Sequence, residues 1–281
     1  MDVKTQTETD AISEAIAAPE KSKDNWLGFL VFLAKVILAV VIFRIFLFSP
    51  FSIPSESMLP QLWRGDYLLA AKWPYGYSRH SIFIDTPLGE GRALAGQPER
   101  GDLVIFKHPV DQQDYIKRVI ALPGDTIGVV GGQIVLNGEL VPRERIDDFD
   151  IPLSANTVCA WGGDEIRLDD STSVCRYRRF QETLPSGVSY EVLDFGLRPS
   201  HDDYRARTVP EGHMFVMGDN RDASQDSRFK AVANDGVGMV PQDLLVGRAA
   251  ILMWSTDGSA EWHKPWTWFT ATRWSRIGTV L

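Results

Sequence analysis

The sequence predicts a mainly β protein. One N-terminal transmembrane helix is followed by an antiparallel β-sandwich or barrel-like domain, into which a smaller β-rich subdomain is inserted. Three observations predict this fold: a single long apolar run lies near the start of the 281-residue chain, the remainder has no long stretch of 3.6-residue periodicity, and short apolar runs recur about every 8 to 15 residues between turn signals. Such spacing is typical of sandwiches and barrels rather than of βαβ folds.

The apolar run from Trp26 to Phe48 predicts a membrane anchor. Seventeen of its 23 residues are Leu, Ile, Val or Phe, and at about 1.5 Å per residue the run reaches roughly 35 Å, enough for a hydrocarbon core of about 30 Å. These side chains favour insertion by about 5 to 10 kcal/mol, whereas Lys35 opposes it by up to about 3 kcal/mol. Two alternatives stay open: a cleaved signal peptide and a buried helix of a soluble protein.

The basic residues around this run predict its orientation. Lys21 and Lys23 precede it, whereas the first basic residue after it is Arg64. The positive-inside rule therefore places the N-terminus in the cytoplasm and everything after the anchor outside. Residues 1–25 are polar and rich in Ala, Glu and Thr, and we expect them to form a disordered tail.

Short apolar runs after the anchor predict the strands of the β domain, which is expected to comprise residues 49–142 and 211–281. The segment Ile134–Val141 predicts a hairpin, because Asn137-Gly138 supplies the positive φ angles of a type I′ turn. The other runs are Tyr67–Ala71, Leu103–Phe106, Tyr115–Leu122, Thr126–Val130, Phe215–Met217 and Ala249–Trp254.

Two stretches between these runs are expected to be insertions. Residues 74–100 carry four glycines and three prolines with little pattern, and residues 143–210 are polar, mixed in charge and hold both cysteines. The second stretch predicts the smaller subdomain. Cys159 and Cys175 have 15 residues between them, so a disulfide could close this loop in an oxidising compartment; two free thiols are the alternative.

Composition excludes several classes of function. The chain is 23% charged and 44% hydrophobic, as globular proteins are, and its net charge of −8 argues against a nucleic-acid partner. No HExxH, Walker A, GxGxxG or GxSxG pattern is present. We therefore expect no metal site and no cofactor.

Three segments carry candidate chemistry. In Ile53–Pro60, two prolines stiffen a turn that presents serines just past the anchor, although such a turn alone is more often a linker. In Asp114–Asp125, strand alternation places Lys117 on one face with apolar neighbours, where burial would lower its pKa; a snorkelling surface lysine is the alternative. The polar segment Met217–Arg228 follows an apolar run, so we expect it at a strand end rather than in a solvated turn.

In this order the anchor, these three segments and GDLVIFKHP at Gly101–Pro109 resemble the bacterial type I signal peptidases, also called leader peptidases. These are membrane-anchored Ser/Lys serine proteases that remove signal peptides from exported proteins. The resemblance extends from the anchor to about Trp254. It implies an antiparallel β catalytic domain in the periplasm, held at the bacterial inner (cytoplasmic) membrane by a single span.

The resemblance also assigns roles to residues of this sequence. Ser57 is implied as the nucleophile and Lys117 as the general base. Ser55 is implied to form the oxyanion hole with the Ser57 backbone N–H, and Ser224 to orient the lysine. Three polar residues of the last motif are expected to support the structure: Asp219, Asp226 and Arg228.

Two positions depart from the family pattern, which usually has Gly where Glu56 stands and Thr where Gln61 stands. A Glu56 side chain that pointed inward would raise the pKa of Lys117 and weaken the dyad, whereas one in solvent would not. Both orientations stay open at this point.

The expected partners are the signal peptides of preproteins, membrane lipid and, by proximity, the secretion machinery. A peptide would bind by strand addition beside Ile53 and residues 114–116. The residues expected to form shallow pocket walls are Ile53, Met58, Tyr115 and Ile116. Five tryptophans near the end of the chain predict contact with the membrane interface or, alternatively, packing in the β core: Trp254, Trp262, Trp266, Trp268 and Trp274.

Three other functions remain as alternatives. A self-cleaving repressor would share a Ser/Lys dyad, but the anchor and the acidic charge speak against it. A specialised peptidase for a single conjugative or pilus substrate would have the same motifs. A non-enzymatic anchored β domain that binds peptides would tolerate loss of Ser57 and Lys117.

Overall fold

The computed structural model describes residues 26–81, 91–159, 162–169, 172–196 and 198–281. The predicted disordered tail, which contains Lys21 and Lys23, lies outside these ranges, and so do residues 82–90 of the first predicted insertion. The chain divides into two compact units between Ile42 and Phe43. The first unit contains most of helix α1 (Trp26–Phe46), and the second contains the β domain.

Helix α1 accounts for the predicted anchor. Among the described residues it is the one helix long and apolar enough to cross a membrane, with 21 residues and a mean hydropathy of 2.7. None of its residues is buried, unlike those of a core helix in a soluble domain. The helix ends at Phe46, two residues before the predicted boundary, because a strand begins at Phe48.

Fifteen strands and two short α-helices follow in the described residues. The helices are α2 (Pro199–Asp202) and α3 (Pro265–Thr270). The strands are β1 (Phe48–Ser52), β2 (Asp66–Ala71), β3 (Leu103–Lys107), β4 (Asp114–Ala121), β5 (Thr126–Val130), β6 (Gln133–Leu136), β7 (Glu139–Leu140), β8 (Arg143–Pro152), β9 (Asp164–Arg167), β10 (Ser173–Thr183), β11 (Ser189–Leu193), β12 (Tyr204–Thr208), β13 (His213–Met217), β14 (Val240–Pro241) and β15 (Leu245–Ser255).

These strands form three antiparallel sheets. The main sheet has seven strands in the order β1-β2-β15-β3-β4-β13-β14. A second sheet consists of β11-β10-β8 with β9 paired to β10, and a third has the order β12-β5-β6-β7. The predicted mainly β, antiparallel fold is therefore confirmed.

The predicted strands follow the apolar runs closely. Thr126–Val130 forms β5 with the predicted bounds, and the runs beginning at Tyr67 and Leu103 lie in β2 and β3. Between β6 and β7, Asn137 and Gly138 have φ angles of 56° and 87°, as the type I′ turn requires. Alternating or buried apolar side chains thus indicate where strands form along the chain.

The stretch 143–210 supplies four of the strands that form the second sheet, but its fifth strand, β12, pairs with β5 of the third sheet. Its standing as a separate subdomain stays a prediction. Cys159 and Cys175 form a disulfide with their Cα atoms 5.1 Å apart, so the thiol alternative is wrong. Cys175 is fully buried and packs with Ile151, Tyr177 and Leu193 in a core behind this sheet.

The C-terminal tryptophans do not pack in the β core. All five are exposed, from 37% at Trp254 to 84% at Trp262. Trp274 contacts the rings of Trp254 and Phe269, with centroid separations of 5.9 and 4.6 Å. The core alternative for these residues is therefore wrong, and their contact with lipid stays a prediction.

Candidate active site

Ser57 lies in the turn that connects β1 to β2. The turn is closed at its base by hydrogen bonds from Ile53 N to Asp66 O and from Gly65 N to Ile53 O, 2.8 and 3.0 Å long. Met58, Leu59 and Leu62 are almost completely buried and hold the segment in place. Ser57 is consequently fixed beside the sheet with only 7% of its surface exposed.

Lys117 lies near the middle of β4. Strand β3 pairs with β4 on one side, and its residue Val104 lies opposite Lys117. On the other side β13 ends at Met217, opposite Arg118, so the chain that leaves β13 begins beside Lys117. Lys117 is 3% exposed, which excludes the snorkelling alternative.

The two side chains meet: Lys117 Nζ and Ser57 Oγ are 2.6 Å apart, a hydrogen-bonding distance. Burial lowers the pKa of Lys117 to about 8, because desolvation disfavours the charged ammonium. Asp226 and Asp219 partly oppose this shift, and Arg228 adds to it. The amine is therefore available as a base near neutral pH.

Two hydrogen-bond donors stand beside the Ser57 hydroxyl. Ser55 Oγ is 3.3 Å from Ser57 Oγ. The backbone N–H of Ser57 donates to no acceptor within the part of the chain that the structure describes. A hydroxyl and a backbone N–H, both groups of the kind that stabilise oxyanions, therefore adjoin the Ser57 hydroxyl.

The loop of residues 218–228 closes the site on the other side. The N–H of Asn220 donates to Ser57 O at 3.1 Å, and its side-chain Nδ2 donates to Glu56 O at 3.2 Å. Gly218 passes so close to Ser224 Oγ and Ser57 O that a Cβ there would collide with both atoms. Ser224 is buried, but its hydroxyl makes no hydrogen bond among the described residues, so its predicted bond to Lys117 is not formed here.

The three predicted supporting residues hold this loop through ion pairs. Asp219 pairs with Arg118 through two hydrogen bonds of 2.8 and 2.6 Å. Asp226 pairs with Arg228, Nε to Oδ1 at 2.9 Å, and its other oxygen accepts from Gly218 N at 3.0 Å. Burial opposes ionisation of Asp226, but Arg228 and these bonds hold the pKa of its carboxyl below the usual value.

Ser57 and Lys117 lie in the lining of a cleft of about 320 Å³. Ile53, Tyr115 and Ile116 line it, as predicted from the sequence, and Phe51 and Ile105 complete its apolar floor. Met58 does not line the cleft: it is 1% exposed and packs behind it with Leu62 and Leu68. The polar lining residues are Ser52, Ser55, Ser57, Gln113, Asp114, Lys117 and Gln225.

Comparison with known proteins identifies the family. The family model described as signal peptidase, peptidase S26, matches residues 26–254. Signal peptidase I of Rickettsia typhi (strain ATCC VR-144 / Wilmington) is 36% identical over 232 residues, which cover 79% of this chain and 77% of that protein. Signal peptidase I of Rickettsia canadensis (strain McKiel) is 33% identical over 267 residues, which cover 91% and 85%.

The chain belongs to the signal peptidase I family. It is a serine peptidase of the class that removes signal peptides, and the resemblance of its motifs is confirmed. A crystal structure of a signal peptidase I from Enterococcus faecalis V583 is 22% identical and covers 54% of this chain and 96% of its own. Its TM-score of 0.29 is too low to support a structural argument.

Glu56, where signal peptidases usually have glycine, is half-buried and directly precedes Ser57 in the chain. Desolvation raises the pKa of its carboxyl, and Arg64 partly opposes this shift. Its Oε1 is buried without a hydrogen-bond partner in the described chain. The groups that shift the pKa of Lys117 are Asp226, Asp219 and Arg228, and Glu56 is not among them.

Sequence reasoning missed several charged residues around this signal peptidase site. Glu182 in β10 and Arg221 in the loop form a buried ion pair, and Tyr190 stacks on Arg118 with its ring centroid 4.4 Å from the guanidinium carbon. Arg276, near the C-terminus, pairs with Asp66 at the base of the Ser57 turn. Because these partners lie far apart along the chain, the sequence carries no local signal for their pairing.

Proposed function

We propose that this chain removes N-terminal signal peptides from exported preproteins with a Ser57/Lys117 dyad at the extracytoplasmic surface of a bacterial inner membrane. The observation that carries the proposal is the 2.6 Å separation of Lys117 Nζ and Ser57 Oγ in a nearly solvent-free setting. Family membership supports the reaction class. The separation supports the assignment of roles within it.

The proposed reaction proceeds through an acyl-enzyme. Neutral Lys117 takes the proton from Ser57 Oγ as that oxygen attacks the scissile carbonyl carbon. The resulting ammonium gives this proton to the leaving amine when the C–N bond breaks, which leaves an ester on Ser57. Lys117 then accepts a proton from water, whose oxygen attacks the ester carbon. The ammonium returns this proton to Ser57 Oγ as the C–O bond breaks and the signal peptide leaves with its new carboxyl end.

The oxyanion of each tetrahedral intermediate would be stabilised by two donors. The unpaired N–H of Ser57 and the hydroxyl of Ser55 flank the nucleophile and support this role. Loss of one such donor typically slows a reaction by about 10² to 10³. Ser224, buried close by, would donate to or accept from the lysine once the substrate is bound.

The substrate would bind as an added strand. The outer edge of β1 has no partner in the described sheet, and residues 114–117 of β4 pair with β3 alone. An extended peptide between these edges would direct alternate side chains to the apolar floor at Ile53 and Ile116. The small volume of the cleft favours alanine-sized side chains at positions one and three before the cut.

The proposed location follows from the anchor and the charge distribution. The positive-inside rule applied to Lys21 and Lys23 supports a cytoplasmic N-terminus and a periplasmic β domain. The disulfide supports an oxidising compartment for the domain. Exposed tryptophans at the C-terminal end supply amphipathic rings for the lipid interface. Proximity to the secretion machinery remains part of this proposal.

Purified full-length protein in detergent, incubated with a model preprotein, tests the proposal. The wild type should cut once, at the end of the signal peptide, as mapped by mass spectrometry. Three variants should fold but not cut: Ser57→Ala, Lys117→Ala and Lys117→Arg. The arginine variant should be inactive because a guanidinium does not lose its proton near neutral pH. Lys230→Ala, at an exposed lysine of the same domain, is the control and should cut normally.

Cleavage by Lys117→Ala contradicts the dyad, and peptide binding without cleavage by the wild type favours the non-enzymatic alternative.

A further inference from the structure

The second sheet lies behind both chain segments that build the proposed site. Leu59, two residues after the nucleophile, is fully buried in a core formed with Ile151, Tyr177 and Leu193 of β8, β10 and β11. Trp63, at the end of the same turn, packs against this core. The stretch 143–210 thus contributes directly to the packing of the Ser57 turn.

The same sheet is tied to the 218–228 loop by a buried ion pair. Glu182 of β10 accepts two hydrogen bonds from Arg221, from Nη1 to Oε1 at 2.7 Å and from Nη2 to Oε2 at 2.5 Å. The two side chains are 1% and 2% exposed. Tyr190 of β11 donates to Glu182 Oε2 at 2.9 Å, which fixes the carboxylate from a second strand.

Arg221 in turn closes the loop around the dyad. Its Nε donates to Gly218 O at 3.2 Å, and its carbonyl accepts from Arg228 Nη2 at 2.6 Å. Between these contacts lies Asn220, whose N–H holds the Ser57 carbonyl. A continuous set of bonds therefore leads from Glu182 to the backbone of the nucleophile.

Backbone N–H groups of β11 and of the residues that follow it also bind the 218–228 loop. Leu193 N donates to Asp219 O at 2.9 Å, and Phe195 N donates to Asp222 Oδ2 at 2.7 Å. Both acceptors belong to residues that neighbour Arg221 or Asn220. The loop is accordingly held along one side by the second sheet, and Glu182 provides the charged contact.

We propose that Glu182 is a positioning residue for peptide cleavage: through Arg221 it fixes the 218–228 loop, and through that loop the relation of Ser57 to Lys117. The inserted sheet is then part of the catalytic apparatus rather than an appendage. This inference rests on the proposed function, because it assumes that Ser57 and Lys117 perform the chemistry.

Loss of this contact should act on the chemical step. Misplacement of a catalytic group by about 1 Å can cost about 100-fold in rate, so we expect kcat of Glu182→Gln to fall between about tenfold and 100-fold. KM should change less than about threefold, because Glu182 is not among the residues that line the cleft in the described structure. A displaced loop would also admit water beside Lys117, and water would raise the pKa of its amine. The decline of kcat/KM on the acidic side should therefore begin at a higher pH.

A second variant separates positioning from folding. Glu182→Gln leaves the Arg221 cation buried without its counter-charge, which is strongly destabilising in proteins. The double variant Glu182→Gln/Arg221→Met removes both charges and should unfold nearer the wild-type temperature. The control is Asp150→Asn, which breaks the exposed Asp150–Arg176 pair across β8 and β10 of the same sheet. It should leave kcat and the pH profile unchanged.

The measurements are kcat, KM, the pH dependence of kcat/KM and the thermal unfolding midpoint of each variant, with wild type and Ser57→Ala in parallel. Reduced kcat with a displaced limb in a folded variant supports the inference. A wild-type kcat and a wild-type pH profile of kcat/KM in either folded variant overturn the inference. Failure of both variants to fold also overturns it, because Glu182 would then serve folding only. An active Ser57→Ala protein would instead overturn the proposed function.

Discussion

Burial turns one ordinary lysine into a candidate base. A pKa lowered from 10.5 to about 8 corresponds to about 3 kcal/mol of bias against the ammonium form of Lys117. Alternation along the strand predicts that Lys117 has apolar neighbours, and this was visible in the sequence. The opposing influence of Asp219 and Asp226 was not, because both carboxylates are brought near by a loop about 100 residues further along the chain.

At the same scale, Ser55 offers a test of oxyanion stabilisation. Ser55→Ala should lower kcat by about 10² to 10³ with little change in KM, because the hydroxyl is needed when the carbonyl oxygen becomes charged. Steady-state cleavage of a fluorogenic signal-peptide substrate measures both constants. Ser52→Ala removes an exposed hydroxyl that lines the same cleft and should be nearly silent. Equal effects of the two substitutions would contradict the assigned role.

Individual contacts show where sequence reasoning stops. The motif order assigns Ser224 a bond to Lys117, yet its buried hydroxyl has no partner in the described structure. Met58 adjoins Ser57 in sequence, but its side chain packs in the core with Leu62. Both outcomes depend on rotamers and turn geometry, which adjacent residues do not determine.

At the scale of elements, strand edges define where the proposed substrate strand binds. Apolar runs predict the strands themselves well, because burial of one face requires a period of two. They do not predict the neighbours of each strand: β15 separates β2 from β3, and β10 supplies Glu182 to a loop nearly 40 residues later. Long-range pairing of this kind leaves no periodic signal.

The apolar floor of the cleft should determine which side chains precede the cut. Ile116→Ala enlarges the floor, so substrates with valine or leucine one or three positions before the cut should gain about tenfold or more in kcat/KM relative to alanine substrates. Competition between the two substrates in one tube measures this ratio directly. Val110→Ala, at an exposed position beside the start of the strand, is the control. An unchanged ratio in Ile116→Ala would show that this side chain does not select the substrate.

At the scale of the whole molecule, the length and apolar composition of α1 were enough to predict a membrane anchor. The lysines that precede α1 predict its direction across the membrane. A protein tagged at the C-terminus should be digested by protease added to spheroplasts, because the β domain is expected to lie outside. A cytoplasmic protein of the same cells serves as the control for intact membranes. Protection of the tag until lysis would reverse the proposed orientation.

The pH dependence of cleavage tests the Ser57/Lys117 dyad most directly. The base must be neutral to act, and its pKa of about 8 predicts that kcat/KM falls about tenfold per pH unit below pH 8 and reaches a plateau above it. Lys72 is the matched control, because it is equally buried, has a pKa lowered to about 8 and donates to Arg44 O instead of Ser57. Lys72→Met should keep the acidic limb. A profile that is flat from pH 5 to 9, or a limb that disappears in Lys72→Met, would contradict the account.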